Sequence, residues 1–283
     1  MSSERSYGAG SLANTTRLAL LSAMLAIALR AAALSAEPSQ QQAGFAAAAP
    51  AAPSPEMPAD MSYKEMAAMM EMDDAATFGK VMLDQLELEA DSDHTLLSWD
   101  GQAWYGSDYN KVWLKSEGTP NASDKTDVRN ELLWDRIVTR WWSVQTGVRY
   151  DLGQGPARGW AAAGIQGLAP YWFDLEATFY VGEEGRTAAR LRAERDLLIT
   201  QRLIVQPEFE TNLYGKADIT RQIGSGISDL QLALRVRYEI RRELAPYVGL
   251  AWRRDFGATA QFARDSGVAP GALLWVAGLR TWF

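Results

Sequence analysis

Leu230-Gln231-Leu232-Ala233-Leu234-Arg235-Val236-Arg237-Tyr238-Glu239-Ile240-Arg241 is the stretch whose reading decides the fold. Leu230, Leu232, Leu234, Val236, Tyr238 and Ile240 fall on one side. Asp229, Gln231, Arg235, Arg237, Glu239 and Arg241 fall on the other. Successive side chains of an extended chain point to opposite faces, so this alternation predicts a long strand with one apolar and one charged face. Strands of globular domains usually run about five or six residues, whereas a tilted strand that crosses a bilayer needs about nine to eleven. Length therefore favours a bilayer-spanning strand.

The same period recurs outward in both directions. Leu86, Leu88 and Ala90 alternate with Gln85, Glu87 and Glu89, and Leu97, Trp99 and Ala103 with Ser98, Asp100 and Gln102. Tyr171, Phe173, Leu175, Ala177, Phe179 and Val181 oppose Asp174, Glu176, Thr178 and Tyr180. Segments near 81–90, 96–105, 110–117, 127–138, 141–152, 159–168, 171–182, 186–198, 201–213, 228–241, 244–255 and 272–283 all read as strands. An even number is what single-chain bacterial barrels require. With the first strand running outward, the turns near 106–109, 139–140, 169–170, 199–200 and 242–243 are short and periplasmic. The loops 118–126, 214–227 and 256–271 are long and extracellular, the outer-membrane pattern. The fold class expected is all-β: a transmembrane antiparallel up-and-down barrel of about twelve strands.

Composition agrees. The 283 residues carry 28 basic and 35 acidic side chains, a formal charge of −7, and no cysteine. Disulfides and thiolate metal sites are excluded, and the negative balance argues against nucleic acid as a partner. All eleven tryptophans lie between Trp99 and Trp282, with Trp134, Trp142, Trp252 and Trp275 near strand ends, as interfacial girdles require. The expected inward positions mix signs: Glu87, Glu89, Arg129, Glu131, Asp135, Arg149, Asp151, Asp174, Glu176, Arg190, Arg192, Glu194, Glu208, Glu210, Arg235, Arg237, Glu239, Arg253 and Arg280. Charges in a narrow lumen must be paired or hydrated. A pairing network that fills the barrel is the simpler expectation, and an ion path through it the sharper one.

The first 79 residues are of another kind. Residues 1–36 place Arg5 and Arg17 before the apolar run Leu18–Leu29 and small residues after it, the pattern of an export signal. Residues 37–79 form an Ala/Pro-rich tether and then a methionine-rich segment, a disordered or partly helical tail before the barrel of 80–283. Met57, Met61, Met66, Met69, Met70, Met72 and Met82 are the methionines that remain once Met1 and Met24 leave with the signal. Met66, Met69 and Met70 have the spacing of one helical face. An amphipathic helix that plugs the barrel would use methionine as apolar ballast, yet Leu, Ile and Val are missing from 46–80. Thioether sulfur is a soft ligand that selects ions such as Cu(I), so these methionines are candidate copper ligands, Cu(I) ahead of Cu(II). His94, the only histidine, falls in the expected first outer loop. A lone exposed histidine is ordinarily just solvated, and a ligand role is its less common reading.

Several runs carry a resemblance. Leu96-Leu97-Ser98-Trp99-Asp100-Gly101-Gln102-Ala103-Trp104, Trp113-Leu114-Lys115-Ser116-Glu117-Gly118 and above all Gly167-Leu168-Ala169-Pro170-Tyr171-Trp172-Phe173 resemble the bacterial copper resistance protein B family. So do Gly185–Leu191, Leu213–Lys216 and Tyr238–Tyr247. The resemblance implies an outer-membrane barrel in contact with outer-membrane lipid. It also implies partnership with periplasmic copper-binding or copper-oxidising resistance proteins, and a methionine-rich, often histidine-rich, copper-binding segment before the barrel. Histidine is missing from that segment here. Two other readings stand beside it. One is a passive porin with an incidental tail. The other, an outer-membrane hydrolase, lacks the base that nucleophile activation requires, since His94 sits in a loop with no recognisable serine motif.

Overall fold

The computed structural model describes Met66 and residues 76–90, 95–120 and 126–283. Residues 77–283 form one compact unit. Its strands are β1 (Phe78–Ala90), β2 (Thr95–Gly106), β3 (Asn110–Pro120), β4 (Thr126–Ile137), β5 (Trp142–Leu152), β6 (Arg158–Ala169), β7 (Phe173–Gly182), β8 (Thr187–Glu194, resumed at Leu197–Leu198), β9 (Leu203–Tyr214), β10 (Gly226–Tyr238), β11 (Leu244–Asp255) and β12 (Gly271–Trp282). Each pairs antiparallel with its chain neighbours, and β12 returns to β1 through register pairs such as Glu87 with Gly278 and Ala90 with Trp275. Phe283 completes the seam by exchanging backbone hydrogen bonds of 3.0 and 2.8 Å with Val81. The result is a closed twelve-stranded barrel with no free edge.

The barrel is inverted relative to a soluble fold. On β10, Leu234 is 48% exposed while its neighbour Arg235 is 2% exposed, because the apolar set faces outward and the charged set faces the lumen. That polarity suits hydrocarbon outside and an ionised interior.

The strand positions follow the alternation closely, and the departures have local causes. The eighth strand does not run unbroken over 186–198: its ladder lapses at Arg195 and Asp196, opposite Pro207 on β9. Proline has no N–H to return, so only the bond from Arg195 N to the Pro207 carbonyl, 3.2 Å, is made there. Tyr171 and Trp172, expected at the start of a strand, instead form a 3₁₀ turn with Pro170, both at positive φ (66° and 63°). Strand β10 ends at Tyr238, so Glu239 lies just past the strand. A register shift between Leu83 and Gln85 makes Asp84 the extra residue of a β-bulge. The bulge changes the phase of β1, so that Met82 shares a register pair, and a face, with Gln102.

The two ends differ. One carries the short connections 107–109, 138–141, 170–172, 199–202 and 239–243 together with both ends of the barrel chain. The other carries the loops 153–157, 183–186, 215–225 and 256–270. Here α1 (Gly257–Asp265) packs on β10 through buried Ala260, and Thr259 accepts a hydrogen bond from Gly224 N at 2.8 Å.

Candidate functional site

The lumen holds most of the charged side chains that the strands bury. Near the long-loop end, Arg149 grips Asp151 with two hydrogen bonds of 2.7 and 2.9 Å, and Trp160 Nε1 donates to the same carboxylate at 2.9 Å. The Arg149 guanidinium lies 4.5 Å from the Tyr180 ring centroid, and Tyr180 donates its hydroxyl to Glu131 at 2.7 Å. Leu133, Trp160, Ala162, Tyr180 and Ala188 form a buried apolar cluster here, with Trp113 and Tyr214 against it.

Around the middle, Arg190 holds Glu210 through two bonds of 2.9 and 2.7 Å and reaches Glu117 at 2.8 Å. Arg192 crosses to Asp100 at 2.6 Å and touches Glu208 at 3.2 Å. Arg235 binds Glu87 at 2.8 Å and also Glu208. Arg253 Nη2 donates to Glu89 at 2.7 Å. Toward the short-turn end, Lys115 meets Glu176 at 2.7 Å, Arg280 meets Asp84 at 3.1 Å and Arg237 meets Asp196 at 2.6 Å. An isolated charge in such an interior costs several kcal/mol, roughly, and bidentate geometry with extra donors is what offsets it. The network thus fills the lumen and ties distant strands together.

Two spaces remain. One, of about 70 Å³, is lined among others by Asp84, Asp100, Lys115, Glu131, Asp174 and Glu194. The other, of about 30 Å³, lies among Ser98, Gln231, Arg253 and Glu210. Both are bounded by Asp100, Glu117 and Arg192, so the pairs these residues make form the partition between them.

Among the long loops, Asp218 accepts from Arg158 Nε at 2.9 Å and from Thr220, with Arg186 at 3.7 Å. Burial opposes its charge, but the hydrogen bonds from Thr220 and Arg158 and the two guanidinium charges outweigh that and hold its carboxyl below the usual range. Arg221 reaches back to the Pro156 carbonyl at 3.1 Å. The loops are therefore cross-tied over this end.

Met57, Met61, Met69, Met70, Met72 and His94 lie outside the described residues, and Met66 is described only as helical and half-buried. Met82 is on β1, where its sulfur accepts a 3.7 Å contact from Arg280 Nη2. Among the described residues no group of three or more His, Cys, Asp or Glu side chains is arranged to hold a metal ion.

The inward charged set anticipated from the alternation is found on the lumen side, with Glu239 just past the end of its strand. The reading missed Asp84, Lys115, Glu117 and Asp196. Parity along β3 could have shown Lys115 and Glu117, which share a face with Trp113, whereas the bulge hides Asp84 from any period-two count. Tryptophan divides between two roles. Trp134, Trp141, Trp172 and Trp275 are exposed on the outer surface, but Trp160 is buried within the apolar cluster and Trp113 packs against it.

A closed antiparallel barrel with an apolar exterior and an ion-paired lumen is the build of an outer-membrane β-barrel protein. Residues 77–283 match the family described as copper resistance protein B precursor (CopB), and the chain belongs to that family. It is 38% identical over 256 residues to the copper resistance protein B of Escherichia coli, covering 81% of this chain and 86% of the relative. It is 43% identical over 212 residues to a copper resistance protein B homolog of Pseudomonas syringae pv. tomato, covering 74% and 71%. Among solved structures, the NanC porin overlaps 72% of this chain and 99% of its own at 11% identity and a TM-score of 0.46, a level at which nothing about function transfers.

Proposed function

We propose that this outer-membrane barrel serves copper resistance by binding copper in the periplasm through its methionine-rich segment, with Cu(I) preferred, and by sequestering the ion or passing it across the membrane. In this reading the short-turn end and the N-terminal segment face the periplasm, where copper-binding or copper-oxidising proteins deliver or receive the ion. The protein acts as a carrier or trap and not as an enzyme. The observation that carries the reading is the confinement of Met57, Met61, Met66, Met69, Met70 and Met72 to one short stretch before the barrel, with Met82 on its first strand, in a chain whose relatives are copper resistance proteins. Thioethers need no deprotonation, so their affinity for soft ions survives changes of pH. His94, twelve residues past Met82 in the sequence, is the remaining candidate ligand.

A passive porin would need a continuous aqueous lumen. The salt bridge between Arg192 and Asp100 spans the lumen, and the spaces beside it are about 70 and 30 Å³. Both facts weigh against free diffusion of solutes.

The test is Cu(I) binding by the full-length protein in detergent, against a variant with the seven methionines changed to leucine. Most of the bound Cu(I) is lost in the variant if the reading is right, and an unchanged stoichiometry refutes it. Copper accumulation in cells making full-length protein, protein lacking the segment, or none then separates transport from sequestration. Equal accumulation in all three refutes a transport role.

A further inference from the structure

The larger lumenal space is asymmetrically charged. Seven carboxylates line it against Lys115, Arg129, Arg190 and Arg192. Asp84 is answered from outside the lining by Arg280, at 3.1 Å. On the wall, the register places Asp174 beside Glu194 and Glu194 beside Glu208, a row of three carboxylates on β7, β8 and β9. Like charges set directly opposite each other in a sheet repel. Arg192 is shared among Asp100, Glu208 and Glu194, at 2.6, 3.2 and 3.6 Å, and Arg235 answers Glu208, so the unbalanced charge of the row lies on Glu194 and Asp174.

Glu131 adds an independent observation. It is 2% exposed and lines the space; one oxygen accepts from Tyr180, and Oε2 has no hydrogen-bond partner. Glu176 Oε1 on β7 is in the same condition and lines the same space. A buried carboxylate oxygen with no donor is costly, and the cost is removed when water or a cation meets it. Among the described residues no cluster of carboxylates is arranged to coordinate a bare ion. The space of about 70 Å³ does hold several waters, each of which needs roughly 10–15 Å³ of such volume.

We propose that this space binds a hydrated divalent cation, whose water shell donates to the free oxygens of Glu131 and Glu176 while Asp174 and Glu194 supply the surrounding negative potential. The chemistry is that of hard oxygen donors and retained water, as Mg²⁺ and Mn²⁺ prefer. It is distinct from thioether binding of Cu(I) and stands whether or not the methionine segment binds copper.

Mn²⁺ is the probe, because thioethers hold it poorly and its free form is read by electron paramagnetic resonance. The full-length protein, folded in detergent, is titrated with Mn²⁺ as wild type, Glu131→Gln, Asp174→Asn and a leucine variant of the six methionines that precede Met82, which keeps Met82 beside Arg280. The expected result is one bound equivalent, weakened about tenfold by Glu131→Gln and severalfold by Asp174→Asn, as removal of a unit charge near a divalent ion dictates. The leucine variant retains wild-type affinity. Asp174 is exposed and carries the test if Glu131→Gln fails to fold. No bound Mn²⁺ in the wild type, unchanged affinity in the lumenal variants, or loss of Mn²⁺ in the leucine variant overturns the proposal.

Discussion

Arg192 on β8 meets Asp100 on β2 at 2.6 Å, a bridge between opposite walls of the barrel. Both residues border both lumenal spaces, so the bond stands between them. Arg192→Ala should therefore raise single-channel conductance in planar bilayers severalfold and make it cation-selective, since Asp100, Glu194 and Glu208 lose a shared guanidinium. Conductance equal to wild type would show that the partition lies elsewhere.

Arg235 carries a stability prediction. It is 2% exposed and serves both Glu87 and Glu208, which are themselves buried. Arg235→Leu leaves Glu87 without its cation and Glu208 with Arg192 alone, and removing one partner of a buried pair costs about 3–5 kcal/mol. Replacing Glu87 by leucine as well recovers part of that loss, because the stranded charge goes with it. Chemical unfolding in detergent, followed by tryptophan fluorescence, measures both steps.

Asp218 makes the long-loop end sensitive to acid. Its carboxyl is held below the usual range in the folded protein, so the stabilisation it gives is present above the unfolded value, about 3.9 for aspartate. It is lost as pH falls through the still lower folded value. Protease cutting within 215–225 should be slow at neutral pH and should accelerate only at strongly acid pH. Asp218→Asn should be cut faster already at pH 7, and equal rates for the two proteins would show that Asp218 does not tie the loops.

Gly118 answers a packing question on the outer wall. A Cβ at this position would stand 2.3 Å from the Trp99 ring, which lies across the glycine from the neighbouring strand. Gly118→Ala must displace the indole, and overpacking of this kind costs about 1–3 kcal/mol. A red-shifted or quenched Trp99 emission together with a lower unfolding midpoint is the expected outcome. Gly118→Ala combined with Trp99→Leu restores much of the stability.

How far the sequence reaches is clearest on particular strands. Leu230 to Tyr238 declare their faces by alternation, and Arg235 and Arg237 are on the lumen side as that pattern requires. On β1 the same reasoning fails below Gln85, because the bulge at Asp84 shifts the phase and turns Met82 toward Gln102. Nothing in the local pattern marks that shift. Trp160 likewise has the composition of a girdle residue, yet its indole hydrogen-bonds buried Asp151 inside the barrel. Tryptophan suits both an interface and a core with a polar partner, so its type does not choose between them.

By itself, the sequence determined the strand number, the outward and inward faces, the short and long ends, and the confinement of methionine to one segment. These are properties of periodicity and length, which each stretch of chain carries locally. Only the tertiary structure decided which charge meets which: Arg192 with Asp100, Arg235 with Glu87, Glu131 left with a free oxygen. Period two states that a side chain points inward, but not its height or its bearing around the axis. Those follow from the register and closure of all the strands together, and the lumenal network depends on them.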